Sequence, residues 1–207
     1  MPPGVERGPV RRIGLTGGIG SGKTTVGRLL ERQGAHLVDT DAIARELSAP
    51  GGAAIGALRA AFGDEAIDAT GALDRARMRA VAFADPLARS RLEGILHPLI
   101  AAETARRAQT AGDAAIVFDV PLLVESRHWR SRVDRILVVD CSEATQAERV
   151  ISRAGWDAAV VQAVMAQQAG RASRRACADA VIFNDGIGLE ELAQEVHSLW
   201  RQWCAPR

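Results

Sequence analysis

The stretch GLTGGIGSGKTT, residues 14–25, decides the fold class of this chain. Residues 17–24 fit the pattern G-x-x-x-x-G-K-[ST], in which a glycine-rich loop curls its backbone N–H groups around a phosphate. An apolar segment precedes the loop and a helical pattern follows it, as the motif requires. A glycine-rich turn with an incidental lysine would not need this context. We therefore predict a phosphate-binding loop (the P-loop, residues 17–24) that binds a nucleoside triphosphate.

The residue types of the P-loop have separate tasks. Lys23 is the only lysine of the chain. Its slim stem reaches between phosphates, where the broad fork of an arginine would not fit. Thr24 offers a hydroxyl to Mg²⁺, the ion that accompanies ATP in such sites. The residues predicted to bind nucleotide here are Gly18, Gly20, Ser21, Gly22, Lys23, Thr24 and Thr25.

Composition excludes several classes of protein. The net charge is +1 over 207 residues, so no global field favours nucleic acid or an anionic membrane. Three cysteines without metal-ligand spacing favour a reducing cytoplasm. No run approaches the roughly 18 apolar residues of a membrane span, and the N-terminus lacks an apolar signal segment. We expect a cytoplasmic protein with no obligate protein partner, in which the Pro- and Gly-rich residues 1–9 are disordered.

Apolar runs alternate with helical patterns along the chain. Continuous apolar character predicts buried parallel strands at 12–16, 35–39, 114–119, 135–140 and 180–184. Helical patterns cover 23–33, 40–47, 52–62, 74–84, 86–110, 143–154, 157–170 and 189–203. This alternation predicts a three-layer α/β fold of the P-loop NTPase class, with a five-stranded parallel sheet. Trp200 and Trp203, three residues apart on the last helix, are expected to pack in its core.

Two insertions interrupt the alternation. Residues 46–110 carry almost no strand signal and predict a helical subdomain that binds the acceptor substrate. Residues 144–176 are rich in Arg and Gln and predict a lid over the active site. The nucleotide-binding core is then built from 10–45, 111–143 and 177–207.

The motifs and insertions that accompany the P-loop favour a small-molecule kinase over other nucleotide-dependent proteins. A GTPase normally has an N/T-K-x-D signature, which a chain with a single lysine at position 23 cannot form. A motor or transporter ATPase carries Asp-Glu after a long apolar strand, whereas here Asp119 is followed by Val120 and Pro121. A kinase needs an acceptor pocket, arginines and a lid that excludes water, and the two insertions match these needs.

Two carboxylates follow the second predicted strand. Asp39 and Asp41 lie where the carboxyl end of a parallel strand borders the P-loop edge of the sheet. One of them is expected to cap the helix that begins at this point. The other is expected either to orient an acceptor hydroxyl and take its proton, or to hold a metal-bound water. Asp119, at the end of the third strand, is a candidate Mg²⁺ ligand, with satisfaction of backbone donors as the alternative role.

These motifs together resemble the dephospho-CoA kinase family over about residues 12–200. The P-loop occurs in many kinases, but VDTDAIAREL (38–47), LHPLI (96–100), DVPLLVE (119–125) and ADAVIFNDG (178–186) are far more specific. Members transfer the γ-phosphoryl group of ATP to the ribose 3′-hydroxyl of dephospho-CoA, which is the last step of coenzyme A synthesis.

The resemblance implies roles for individual residues. It makes Asp41 the acceptor base and Arg149, with Arg153, lid residues that reach the transferring phosphates. It makes Asn184 a neighbour of the adenine. Its acceptor-binding residues are Asp41, Arg75, His97, Asp119, Pro121, Leu122 and Glu125.

The predicted reaction is in-line attack of the acceptor hydroxyl on the γ-phosphorus. Asp41 is the base, while Lys23, Arg149 and Mg²⁺ offset the developing charge. One alternative is another small-metabolite or nucleoside kinase on the same fold, since the acceptor pocket is not readable from the residues alone. A second is an acceptor-independent ATPase or switch. The arginine-studded segment 46–110 favours an anionic small molecule over this last alternative.

Overall fold

The protein is described here by a computed structural model that covers residues 11–126 and 129–204. Residues 1–9, for which the sequence predicts disorder, lie outside the described residues. Each strand predicted from the apolar runs is present within a residue or two of its expected bounds. The strands are β1 (Arg12–Gly17), β2 (His36–Asp39), β3 (Ile116–Asp119), β4 (Arg135–Asp140) and β5 (Ala180–Phe183).

The five strands form one sheet in the order β2-β3-β1-β4-β5. Strand β1 is central and pairs in parallel with β3 on one side and with β4 on the other. Strand β5 extends the sheet in parallel beyond β4. The predicted parallel sheet is therefore confirmed. Because β1 is central, the P-loop that follows it leaves from the middle of the sheet, flanked by the carboxyl ends of two neighbouring strands.

The other regular elements of the described chain are nine helices and short 3₁₀ segments at Asp64–Ala66 and Trp129–Ser131, joined by turns and loops. The helices are α1 (Lys23–Arg32), α2 (Thr40–Leu47), α3 (Ile55–Phe62), α4 (Arg75–Ala84), α5 (Pro86–Gln109), α6 (Glu143–Ala154), α7 (Ala158–Gln167), α8 (Arg171–Ala176) and α9 (Leu189–Cys204). Helix α5 continues through Pro98. Residue 94, whose carbonyl a proline at 98 leaves without its usual partner, is an exposed glycine.

One predicted helix is wrong in its extent. The pattern over 157–170 predicts a single helix, but α7 ends at Gln167 and α8 is a separate element. The backbone of Gln168 is extended (φ −89°, ψ 153°), and so is that of Gly170 (φ −58°, ψ 152°). A turn of three residues, 168–170, therefore separates the two helices and redirects the side chain of Gln168.

The core of the sheet explains why these segments pack as they do. In β4, residues 136–139 are each no more than 1% exposed, as expected for a strand covered on both faces. One face of α1 contributes Val26, Leu29 and Leu30 to a buried cluster that α9 completes with Leu192 and Val196. Trp200 and Trp203 pack against this cluster, which confirms their predicted place in the core.

The chain divides into two compact units. The first contains the residues up to Val38 and from Ala111 onward, and thus the P-loop and residues 144–176. The second, Asp39–Thr110, has a core of its own around Ala54, Leu58 and Met78, against which side chains of α5 pack. Whether residues 144–176 act as a lid stays a prediction. Among the described residues, no helix is both long and apolar enough to cross a membrane.

Candidate active site

The P-loop has the strand–loop–helix context that its sequence predicts. Strand β1 ends at Gly17 and helix α1 begins at Lys23. Gly20 (φ 74°) and Gly22 (φ 92°) lie in the left-handed region, which strains any residue with a Cβ atom. Helix α1 has no side-chain cap at its N-terminus. Its first N–H groups and its dipole are therefore directed at the loop, an arrangement that favours an anion.

The P-loop glycines are also required by close packing. A Cβ atom at Gly17 would lie 2.5 Å from the carbonyl oxygen of Val139 on β4. A Cβ atom at Gly22 would clash with the side-chain amide of Asn184. Asn184 is buried, and its Nδ2 donates a hydrogen bond of 2.8 Å to the carbonyl oxygen of Ser21. The amide that the resemblance assigns to adenine thus holds the P-loop backbone in this structure, and the adenine contact stays a prediction.

The charged groups of the P-loop meet the end of β3. The ammonium group of Lys23 forms an ion pair with the carboxylate of Asp119, which is 4% exposed. The hydroxyl of Ser21 is buried and has no hydrogen-bond partner among the described residues. A hydroxyl that lacks a partner, two residues before Lys23 in the loop that leads into a helix N-terminus, is suited to a phosphate oxygen. The observed residues therefore fit a nucleotide phosphate.

The same residues fit a nucleotide-bound magnesium ion. No group of three or more His, Cys, Asp or Glu side chains that could hold a metal occurs in the described part of the chain. Mg²⁺ is usually held by one or two protein oxygens together with phosphates and water. The exposed hydroxyl of Thr24 in the first turn of α1 and the carboxylate of Asp119 supply such oxygens.

The segment 119–125 lies alongside the P-loop strand. The N–H of Val120 donates to the carbonyl oxygen of Leu15 at 2.9 Å, and the hydroxyl of Thr16 donates to that of Pro121 at 3.2 Å. Leu122 is half-exposed. The exposed Glu125 accepts a hydrogen bond of 2.6 Å from the N–H of Ala169. The segment is thus anchored at its start to β1 and at its end to the turn between α7 and α8.

Arginines of residues 144–176 differ in their surroundings. The half-buried Arg149 points its Nη1 at the carbonyl oxygen of Gly20, 3.5 Å away, whereas Arg153 is exposed. Arg171 donates from Nε to both carboxylate oxygens of Asp140, at 2.8 and 2.9 Å, and this bond raises the pKa of Arg171. Arg149 is therefore the predicted lid residue that this structure brings to the P-loop.

Helix α2 carries the two candidate carboxylates of the second unit. Asp39 accepts a hydrogen bond of 2.8 Å from the N–H of Ala42 and is the N-cap of α2, which confirms that one carboxylate caps. Asp41 is an exposed residue in the first turn of the same helix. Asp39 therefore has a structural role, whereas Asp41 is exposed to solvent. The catalytic role of Asp41 stays a prediction.

Arg75 is held against the end of α2. Its Nη2 donates to the hydroxyl of Ser48 at 2.6 Å and to the carbonyl oxygen of Ala44 at 3.2 Å. Partial burial lowers the pKa of Arg75, and the like charge of Arg45 adds to this, while Asp41 offsets part of it. A cation surrounded by further arginines is suited to an anionic group of a substrate. His97 is exposed on α5.

The match to known proteins covers most of the chain. A family model described as dephospho-CoA kinase matches residues 11–190. The dephospho-CoA kinase of Burkholderia pseudomallei is 54% identical over 195 residues, which are 93% of this chain and 96% of the relative. The chain belongs to the dephospho-CoA kinase family.

Solved structures share the fold of this chain. A Thermus thermophilus crystal structure matches with a TM-score of 0.82 at 30% identity, over 96% of this chain and all of that one. The structure of the dephospho-CoA kinase from Campylobacter jejuni matches with a TM-score of 0.64 at 18% identity, over 94% and 97%. The second likeness concerns the fold alone. The predicted P-loop α/β fold is thereby confirmed.

Three residues contact the P-loop although the sequence did not predict these contacts; one of them, Arg174, is among the arginines of the predicted lid. The buried Gln146 of α6 packs so closely against Gly18 and Gly20 that a Cβ atom at either glycine would clash with it. Arg174 and Gln168 approach the loop from α8 and from the turn before it. The only sequence signal was that residues 144–176 are rich in Arg and Gln. The directions of Gln168 and Arg174 depend on the turn between α7 and α8, which the pattern does not show.

Proposed function

We propose that this protein transfers the γ-phosphoryl group of ATP to the ribose 3′-hydroxyl of dephospho-CoA, giving coenzyme A and ADP. The observation that carries the proposal is the dephospho-CoA kinase family match over residues 11–190. The P-loop, with its partly exposed Lys23 paired to the buried Asp119, supports ATP as the phosphoryl donor. The three cysteines are free, which supports a reducing compartment, the cytoplasm, as the place of action.

The nucleotide side of the reaction rests on charge neutralisation. Backbone N–H groups of the P-loop bind phosphate oxygens, and the buried hydroxyl of Ser21 is available for one more. Lys23 exchanges part of its interaction with Asp119 for the phosphates. Thr24 and Asp119 would hold Mg²⁺, which when bound neutralises charge on the phosphoryl oxygens. Arg149 adds a positive charge close to Gly20.

The acceptor side rests on one base and several binding residues. Asp41 orients the 3′-hydroxyl of the ribose and takes its proton while the oxygen attacks the γ-phosphorus. A new bond forms between the ribose oxygen and phosphorus, and the bond from the γ-phosphorus to the bridging oxygen of ADP breaks. Arg75 and His97, with segment 119–125, bind the acceptor. The pyrophosphate of dephospho-CoA is anionic, which suits the arginine-rich surroundings of Arg75.

The test is ADP release by the purified protein with Mg²⁺-ATP and different acceptors. We expect release that requires dephospho-CoA and does not occur with AMP, adenosine or no acceptor. Asp41→Asn should lower kcat by about 100-fold or more, because the base is lost. Asp64→Asn, the same change at an exposed carboxylate of the same unit, is the control and should leave the rate unchanged. Release without any acceptor would indicate an ATPase, and release only with another acceptor would indicate a different kinase.

A further inference from the structure

The turn between α7 and α8 contacts the P-loop through one side chain. The side-chain oxygen Oε1 of Gln168 accepts a hydrogen bond of 2.9 Å from the backbone N–H of Ile19. Ile19 lies at the tip of the loop, between Gly18 and the left-handed Gly20. The extended backbone of Gln168, rather than a continued helix, directs its side chain there. A residue 149 positions away in sequence thus fixes the loop tip.

The same turn is anchored on two further sides. The N–H of Ala169 donates to Glu125 Oε1 at 2.6 Å. Arg174, 7% exposed, donates from Nη1 to the carbonyl oxygen of Ala169. Its Nη2 packs against Gly18 of the P-loop, so closely that a Cβ atom at this position would lie only 2.8 Å away. Residues 168–174, called the strap below, therefore connect the P-loop to Glu125 through backbone and side-chain hydrogen bonds.

We infer that Gln168 is a positioning residue, which acts through Ile19 to hold the P-loop in the shape that binds the phosphates of ATP. The inference rests on the proposed function in that the loop is taken to bind ATP. The amide of Gln168 is suited to this task because its oxygen accepts the N–H of Ile19 without bringing a negative charge to a phosphate site. A carboxylate at the same place would accept the bond and repel the phosphates.

The strap also gives Glu125 a role on the nucleotide side. The resemblance assigns Glu125 to the acceptor, yet its carboxylate holds the N–H that follows Gln168 in the chain. Removing either side chain frees the same turn. We therefore expect the effects of Gln168 and Glu125 on ATP binding to be coupled rather than additive.

The experiment measures ATP binding to the full-length protein by titration calorimetry, without acceptor. Gln168→Met keeps the length of the side chain and removes the acceptor oxygen. We expect it to weaken ATP binding by about 3- to 10-fold, as for a lost hydrogen bond, with adenosine binding and the melting temperature unchanged. Gln167→Met, the same change at the exposed neighbour, is the matched control and should bind ATP like the wild type.

Two further measurements separate positioning from stability. The ¹H–¹⁵N signal of Ile19 should move upfield in Gln168→Met and stay near its wild-type position in Gln168→Glu, although that variant binds ATP more weakly through repulsion. Glu125→Ala should weaken ATP binding, Glu125→Gln should restore it, and Gln168→Met should add little to Glu125→Ala. Because no acceptor is present, a failure of dephospho-CoA phosphorylation leaves these readouts intact.

The inference is overturned by any of three results. The first is wild-type ATP affinity in Gln168→Met. The second is an Ile19 signal that does not respond to the loss of the amide. The third is a fall in ATP affinity that accompanies an equal fall in adenosine affinity and a lower melting temperature, which would assign Gln168 to the stability of the fold alone.

Discussion

At the scale of single residues, Asn184 shows how the P-loop depends on a side chain from the far end of the sheet. Its buried amide donates to the carbonyl oxygen of Ser21, and its own N–H donates to the carbonyl oxygen of Asp140 at 2.8 Å. A carboxylate cannot donate, and a carboxylate at 184 would place an acceptor against an acceptor in a buried site.

We therefore predict that Asn184→Asp lowers the free energy of unfolding by about 1–3 kcal/mol, the cost of a lost partner in a buried site. ATP affinity should fall with it, because a negative charge is brought to the P-loop. Urea unfolding and titration calorimetry measure the two effects. Gln202→Glu makes the same amide-to-carboxylate change at an exposed position of α9 and should alter stability by no more than about 0.5 kcal/mol. An Asn184→Asp variant as stable as this control would contradict the prediction.

The residue scale also marks the limit of what the sequence could predict. Lys23 and the glycines of the P-loop were found because their spacing alone encodes the geometry. The bonds from Asn184 to Ser21 and from Gln168 to Ile19 join residues 163 and 149 positions apart. No local pattern encodes such pairs, since they depend on which strand and which turn lie next to the loop in space.

At the scale of elements, helix α6 is fixed at its N-terminus by an aspartate from the loop after β5. Asp185 accepts hydrogen bonds from the hydroxyl of Thr145 at 2.6 Å and from the N–H of Ser142 at 2.8 Å. The hydroxyl of Ser142 in turn caps the helix by accepting from the N–H of Thr145. These donors, with that of Thr145 first, lower the pKa of Asp185 from its ordinary 3.8 to about 2.

The low pKa gives a pH dependence with a defined sign. Because the folded pKa lies below the unfolded one, the stabilisation by Asp185 is present above about pH 4 and is lost as the pH falls towards 2. We predict that Asp185→Asn is less stable than wild type at pH 5 and that this difference shrinks between pH 4 and 2. Urea unfolding at several pH values measures it. Glu103, whose pKa is also about 2, titrates in the same window, so some pH dependence remains in the variant.

The outcome that would contradict this prediction is a difference between wild type and Asp185→Asn that does not change with pH. In that case the side chain of Asp185 would stabilise the protein through its shape and not through its negative charge. Asp64→Asn is a suitable control because its side chain is 92% exposed, and the pH dependence of that variant should follow wild type.

Elements differed in how well they could be predicted. Strand β4 and helix α5 were found because long, uniform patterns dominate their sequences. The helix predicted over 157–170 runs three residues too far, and α8 was not predicted, because the sequence AQQAGRAS contains one weak stop signal, Gly170, and otherwise favours helix. The turn after α7 makes tertiary contacts with Ile19 and Glu125, which a local pattern cannot show.

At the scale of the whole molecule, the two compact units have separate cores and separate tasks in the proposed reaction. The P-loop belongs to the first unit, and Asp41 and Arg75 belong to the second. An insertion at 46–110 is predicted from its length and its lack of strands, and the second unit begins earlier, at Asp39, so that it includes α2. Among the arginines of the insertion, only the family resemblance singles out Arg75. An arginine that binds Ser48, such as Arg75, looks the same in sequence as one on a solvated helix face.

Because the two units have separate cores, we expect a change in one core to affect the two tasks unequally. Leu58 is fully buried in the core of the second unit. Leu58→Ala should lower the free energy of unfolding of that unit by about 2–5 kcal/mol, through lost burial and the cavity it leaves. We predict that ATP affinity stays at the wild-type value while the KM for dephospho-CoA rises, because the P-loop lies in the other unit.

Arg59→Ala, an exposed change on the next residue of α3, is the control and should alter stability by no more than about 0.5 kcal/mol. Calorimetric titration measures the ATP affinity, and steady-state kinetics measure the KM for dephospho-CoA. A loss of ATP affinity in Leu58→Ala as large as the rise in this KM would mean that the two units do not bind their substrates independently.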